Sequence, residues 1–537
     1  MTDVTVDRES AAYQRRWLIL GVLCLSLLVI VVDNSILNVA LPTLVRDLHA
    51  SNSQLQWMVD SYTLVFAGLL LTAGSLGDRF GRRGGLQVGL SIFGLGSLAS
   101  AFASTPTQLI STRALMGVGG AFIMPATLSI ITNLFPDDER GKAIGLWASV
   151  AGVAAALGPI SGGFLLEHFY WGSIFTVNLP IVAFALVCSA FLIPTSKDPS
   201  HPRQDPVGAV LSIVGLCSLL YAIIDGPVSG WTAPRIVGAF VVAAVVLGAF
   251  AWWESYVDHP MLDTNFFKNP RFTAASSGIT LVFFAMFGAT FLLTEYLQFT
   301  LNFSPLNAGL ALLPWAAVMM VTSASSARIV DRYGTKVTVA TGLATVGVAL
   351  VLMMSLPVNG HYVTDVMWRM MLMAAGMGLV MAPATESIMG SLPLGKAGVG
   401  SAVNDTTRQV GGALGVAIIG SVMSSVYQDR VAGRIAGQGL PHAAAAQIRS
   451  SLGGALEVAQ RAGGHTGVLV AAQAKAAFVD GLHLAVLVGA VAAFLGAFIA
   501  AKWLPARAVA RVADVEAAGP TTDEVAAVIG APALVEP

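Results

Sequence analysis

Charge is scarce in this sequence: only 11% of its 537 residues are Asp, Glu, Lys or Arg, where a soluble chain carries roughly a quarter. So few charges could not cover the surface of a chain this long in water, which points to lipid as the solvent. Cysteine is rarer still. Cys24, Cys188 and Cys217 all fall inside apolar runs, so neither a disulfide framework nor a zinc site is indicated. No G-x-x-x-x-G-K-[ST] phosphate loop occurs, so ATP-driven pumping is unsupported. No clustered His/Asp/Glu set appears, which argues against metal-dependent catalysis. Of the eight histidines only His483 falls in an apolar run, so a histidine relay is not expected. The two-residue alternation of a membrane barrel is missing as well. A net charge of −1 singles out no partner, and no nucleic acid is expected.

What is present is a series of apolar runs about 20 residues long, the length that crosses about 30 Å of hydrocarbon as helix. We place spans near 17–40, 57–76, 85–104, 109–133, 141–165, 173–193, 207–225 and 235–253. Six more follow near 272–296, 306–327, 337–356, 366–389, 397–425 and 478–503. The expected fold is therefore an all-α integral membrane protein with fourteen spans. Arg15 and Arg16 precede the first run, which is too long for a signal peptide and contains Asp33; it reads as a retained span. Lysine and arginine crowd alternate loops, as at Arg79, Arg82, Arg83; Arg140, Lys142; and Arg328, Arg332, Lys336. That asymmetry places those loops and both termini in the cytoplasm. The segment 426–477 reads as a long outer loop whose part 442–477 suits a surface amphipathic helix, and 505–537 reads as a disordered cytoplasmic tail.

Residues 74–83, GSLGDRFGRR, share an Asp-Arg-aromatic-Gly core with residues 327–336, ARIVDRYGTK. Each falls between the second and third span of a six-span set. Residues 117–130, GVGGAFIMPATLSI, likewise resemble 376–388, GMGLVMAPATESI, and Arg113 and Arg369 open the corresponding spans. Similarity at this period implies a duplicated half, with parallel six-span bundles at 17–193 and 272–503. The cytoplasmic segment 1–16 precedes the first, and two inserted linker helices at 207–253 separate them.

The stretch Gly74–Arg83 resembles the loop 2–3 motif of the major facilitator superfamily. VDNSILNVALP, from Val32 to Pro42, is similar to the first-span motif of its fourteen-span drug:proton antiporter branch. So are GPISGG from Gly158 to Gly163, NLP from Asn178 to Pro180, and RQVGGALG from Arg408 to Gly415. Met116 departs from the usual glutamine before Gly117, and Gly172 from a common arginine. The resemblance covers roughly 15–505 and implies two bundles related by a pseudo-two-fold axis, exporting drugs against an inward flow of protons. It implies no cofactor, a monomer, and a bacterial inner membrane.

Asp33 lies about 16 residues into the first span, on the order of 24 Å from its start. A carboxylate stripped of water there can take up a proton or attract a cation, and a site that takes one at a time couples the two. The plainer alternative is a hydrogen bond with Asn34 or Asn38. Asp60 suits the outer mouth or a solvated interface. Asp405 stands one turn before Arg408, as a gating pair or a merely satisfied charge. Glu295, near the outer end of span 9, and Glu386, late in span 12, are further candidates for coupling or substrate binding. In the family the arginine corresponding to Arg113 is associated with proton transfer.

Asp78 and Asp331 suit caps for the helices that follow them, with Arg79, Arg82 and Arg332 holding the turns cytoplasmic. If these turns, with Gly74, Gly81 and Gly334, also bind the opposite half, they latch the outward-open state. Gly158, Pro159, Gly162 and Gly163 permit close helix contact, which the resemblance reads as an antiporter motif. The expected function is proton-coupled export of small amphipathic, cationic or zwitterionic compounds. Export of one self-made metabolite or lipid on the same fold stays open, as does a non-transporting receptor.

Overall fold

Helix starts follow their local chemistry. Thr105, Asp205, Asn269 and Ser304 each stand before a proline and accept a backbone N–H from the first turn. The side-chain oxygen satisfies an orphan donor, and proline loses nothing where no donor is needed. The computed structural model describes residues 11–48, 52–196, 205–257, 260, 262, 264–392, 396–435 and 441–506. Residues 507–537 of the expected tail at 505–537, and the segment 1–10, lie outside the described residues.

Among the described residues fourteen helices are long and apolar enough to span a bilayer, and there are no strands. We number them α1 (Arg16–Leu48), α2 (Asn52–Phe80), α3 (Arg82–Ala101), α4 (Pro106–Leu134), α5 (Asp137–His168), α6 (Asn178–Leu192) and α7 (Pro206–Ser229). The rest are α8 (Pro234–Tyr256), α9 (Pro270–Glu295), α10 (Leu313–Tyr333), α11 (Thr335–Met353), α12 (Trp368–Met389), α13 (Ala397–Ile435) and α14 (Gly464–Trp503).

The same pairs of helices pack in both halves: α1 on α5 as α9 on α13, α2 on α4 as α10 on α12, and α3 on α4 as α11 on α12. The last pair shows the duplication atom by atom. A Cβ on Gly89 would lie 2.8 Å from the Gly119 carbonyl oxygen, and one on Gly342 would lie 2.7 Å from that of Gly376. Gly376 therefore plays the part of Gly119, not of Gly117, with which the sequence comparison aligns it. Small residues serve here because helices in lipid associate through close packing.

Two seams join the halves, α5 against α10 and α2 against α13. The inserted hairpin α7–α8 does not stand apart from them. Its α7 packs on both α2 and α13, and a Cβ on Gly68 of α2 would collide with Cys217 Sγ. On the α13 side Trp231 Nε1 donates to Ser421 Oγ at 3.3 Å.

The expected loop 426–477 is mostly helix. α13 runs on to Ile435 and α14 begins at Gly464, with short helices at His442–Ser450 and Leu452–Ala462 between them. Packing extends these helices past the point where hydropathy falls. Arg434 pairs with Asp480 at 2.8 Å, and the Tyr427 hydroxyl donates to the Ile448 carbonyl at 2.8 Å. At the charged turns the repeated glycine has a backbone cause: Gly81 has φ 120° and Gly334 φ 84°, a region that side chains avoid.

The α11–α12 crossing yields a prediction. Gly342→Val forces branched carbons against the α12 backbone and should destabilise the protein by about 1–3 kcal/mol, the usual cost of overpacking. Thermal unfolding in detergent, with Gly248→Val in α8 as the open-space comparison, checks it.

Candidate functional site

Asp33 and Arg113 meet inside the first bundle as an ion pair with no exposed surface on either side chain. Asp33 Oδ1 also accepts from Asn178 Nδ2 at 2.9 Å, and Asn178 reaches Ser97 Oγ at 3.0 Å. Ser97 in turn donates to the Phe175 carbonyl at 2.9 Å. Arg113 donates through Nε to the Met58 carbonyl at 3.2 Å and contacts Asn34 Oδ1 at 3.4 Å. Its guanidinium lies 4.6 Å from the centroid of the Tyr62 ring. Helices α1, α2, α3, α4 and α6 thus each supply a group. Asn34 is a partner of Arg113 rather than of Asp33, and the side chain of Asn38 lies outside the described residues. Met116, the departure from glutamine, puts its sulfur 3.9 Å from Arg113.

The glycines of residues 158–163 connect this nest to the seam. A Cβ on Gly158 would overlap the Ser35 side chain, and one on Gly162 would lie 2.6 Å from Ile36 Cγ1. The glycine face of α5 therefore carries the turn of α1 that follows Asp33. The neighbouring Pro159 faces the other half, where a Cβ on Gly309 would lie 2.7 Å from Pro159 Cβ. One stretch of helix touches both the acid-bearing helix and the opposite bundle.

The second cluster lies in the other bundle. Asp405 and Arg408 on α13 are 3.6 Å apart and almost fully buried. Asn404 Nδ2 donates to Asp405 Oδ1 at 3.3 Å, and Arg408 donates to Thr385 Oγ1 at 2.9 Å. Arg408 also faces Trp147, on α5 of the opposite half.

At the charged turn Asp78 does not cap the helix that follows it. Its Oδ2 accepts the backbone N–H groups of Gly398 at 2.8 Å and Val399 at 3.2 Å, in the first turn of α13 in the other half. Its Oδ1 takes Arg82 Nε at 2.9 Å, so Arg82 is a buried partner rather than a surface charge. Gly74 makes the approach feasible, since a Cβ there would lie 2.5 Å from the Gly398 carbonyl oxygen. Four groups converge on one carboxylate: two backbone N–H at the positive end of α13, the Arg82 guanidinium and the Ser129 hydroxyl.

The second turn is not docked in this way. Asp331 and Arg332 are exposed, and Gly334 rather than Asp331 stands at the N-cap of α11. Two substitutions account for the difference. Ala327 stands where the first turn has Gly74, and Thr335 where it has Arg82. The start of α5, which would be the symmetric receptor, opens with Asp137, Asp138 and Glu139 and would repel an aspartate.

Glu386 reaches that region instead: a Cβ on Gly141 of α5 would lie 2.7 Å from Glu386 Oε2. Asp60 lines a small cavity between α2 and α7 with Trp57, Leu64, Tyr221, Ile224 and Asp225. Glu295 ends α9 just before a π-helical turn, Tyr296–Thr300, and is half-buried. Arg369, the positional echo of Arg113, donates to the Asp365 carbonyl and to Ser355 Oγ, not to a carboxylate. Ser97 carried no sequence signal; Thr385 stood in the repeated stretch 376–388, and Asn178 in the NLP stretch.

Two matched helix sets meeting at two seams, each with a buried acid–arginine pair, define a multi-pass membrane transporter. The Major Facilitator Superfamily model matches residues 23–416, and the chain belongs to that family. It is 36% identical over 488 residues to the multidrug efflux pump LfrA of Mycolicibacterium smegmatis, spanning 90% of this chain and 96% of that protein. It is 34% identical over 479 residues to the methyl viologen resistance protein SmvA of Salmonella typhimurium, spanning 87% and 93%. The solved structure of the human organic anion transporter MFSD10 is similar in fold, with a TM-score of 0.60 at 13% identity over 91% of this chain and 99% of that one.

The Asp33–Arg113 pair should behave as a unit. Arg113→Gln leaves a sealed carboxylate without its cation and should cost about 3–5 kcal/mol in thermal unfolding. Adding Asp33→Asn should restore a measurable part of that loss; strictly additive losses would mean the two do not interact.

Proposed function

We propose that the protein is a proton-coupled antiporter that exports small amphipathic, cationic or zwitterionic compounds across a bacterial plasma membrane by alternating access. The observation that carries this reading is the line of contact from Asp33 to the seam. Protonating Asp33 removes the charge that holds Arg113, on a helix whose next turn rests on the α5 glycines. Pro159, beside those glycines on α5, bears on Gly309 of the other half. A local change of charge is thereby felt where the two bundles must tilt.

The names of the relatives, a multidrug efflux pump and a methyl viologen resistance protein, support export of drug-like compounds. Among the described residues every polar partner of Asp33 belongs to its own bundle, which suits proton coupling better than substrate contact. Asp405, facing the other half through Arg408, suits the cargo.

The cycle then runs on differential affinity. With Asp78 docked on α13 the charged-turn end, which we assign to the cytoplasm with both termini, is held shut. Cargo leaves on the other side, a proton enters and weakens the Asp33 pair, and Asp78 releases α13 as the halves rock. No cofactor is called for, no chemical conversion occurs, and a monomer suffices.

Efflux of ethidium from proteoliposomes under an imposed pH gradient tests the core of this scheme. Wild type should extrude the dye in proportion to the gradient, and Asp33→Asn should lose at least about tenfold of that drive. Gradient-driven efflux equal to wild type in Asp33→Asn removes Asp33 from the mechanism.

Asp78→Asn tests the latch. With the native cysteines changed to serine, Ala402→Cys beside Gly74 should be alkylated several-fold faster when Asp78 is Asn. An unchanged rate would mean that the α13 contact does not hold that end closed.

A further inference from the structure

Arg408 sits in surroundings that its own chain does not complete. Its guanidinium lies 5.3 Å from the ring centroid of Trp147, on α5 of the opposite half, and 5.5 Å from that of Phe283 on α9. Its separation from Asp405, 3.6 Å, is loose, since a charge-assisted pair closes to roughly 2.8 Å. Asp405 Oδ2, Arg408 Nε and Trp147 Nε1 have no hydrogen-bond partner among the described residues. Yet Asp405 is 1%, Arg408 7% and Trp147 0% exposed. Buried polar atoms are ordinarily paired, so three orphans around one guanidinium mark a place built for another occupant. The one short bond of Arg408, to Thr385, holds it toward its own half.

We infer that Arg408 is a tethered stand-in for the cargo's cation: Trp147 and Phe283 form an aromatic cage, closed on one side by Asp405, that takes a delocalised organic cation. The inference rests on the export reading and names its substrate class. A guanidinium is a flat, weakly hydrated cation, the kind that aromatic faces hold best. An arriving lipophilic cation takes the ring faces and Asp405 Oδ2, while Arg408 withdraws to Thr385 and Asp405 Oδ1. One cation replaces another, so the Asp405 carboxylate is never left sealed without an opposite charge. The cage straddles the seam, with Trp147 on one half and Phe283 and Asp405 on the second. Occupancy therefore bears directly on how the halves meet.

Binding to the purified full-length protein tests this without requiring transport. The probes are tetraphenylphosphonium and tetraphenylborate, alike in shape and opposite in charge, measured by equilibrium dialysis. Arg408→Gln removes the competitor and should tighten phosphonium binding about tenfold while not tightening borate binding. Trp147→Leu should weaken phosphonium binding about tenfold, with Trp147→Phe in between. Arg408→Lys, a compact and strongly hydrated cation, should tighten it less, and serves if the Gln variant does not fold.

Phosphonium binding unchanged or weaker in Arg408→Gln, equal tightening of both ions, or no binding by either protein would overturn the inference. Unchanged binding beside intact gradient-driven efflux would sink the stand-in and leave antiport in place. Tightened binding without any gradient-driven efflux would do the reverse.

Discussion

A carboxylate sealed from water needs a cation sealed with it, and here that pairing is Asp33 with Arg113. Neither side chain has exposed surface, and five helices contribute to the nest around them. In lipid the alternative to such a nest is an unpaired charge, whose cost exceeds that of most other defects. The first bundle is therefore assembled around one neutralised pair. Its polar groups, Asn178, Ser97 and Asn34, serve that pair before anything else. Because the bundle depends on the pair, a change in its charge cannot stay local.

Close contact between small residues turns this chemistry into mechanics. Gly158 and Gly162 let α5 lie on α1 beside Asp33, and Pro159 bears on Gly309 across the seam. Gly74 and Gly398 let α2 and α13 approach until Asp78 reaches two backbone N–H groups. Tight backbone contacts of this kind have few intermediate positions, since a slight separation forfeits much of the packing. The interface between halves is suited to two arrangements rather than a continuum.

Much of this was legible in the residues. Fourteen apolar runs gave fourteen helices, and the doubled Asp-Arg-aromatic-Gly core reported a doubled bundle whose α3–α4 and α11–α12 crossings match. Asp33, Arg113, Asp405 and Arg408 stood out because charge is rare in such runs. What stayed hidden depended on distant partners. Nothing near Asp78 shows that it caps a helix 320 residues away, because its receptors are backbone N–H groups common to every sequence. The second turn looked equivalent, but Ala327 and Thr335 remove the room and the arginine that docking requires. Hydropathy ended α13 too early because ion pairs and packing, not apolar content, carry it to Ile435.

The inserted hairpin has a mechanical consequence. Its α7 is pressed onto α2 at Gly68 and Cys217, a junction with no slack, whereas toward α13 the bond from Trp231 to Ser421 is a single long hydrogen bond. In the proposed rocking cycle the hairpin would ride as a passenger on the first bundle and shear along the second. On that cycle it would work as a sliding gasket over one seam, shielding that opening from lipid, whereas among the described residues the α5–α10 seam has no such hairpin over it.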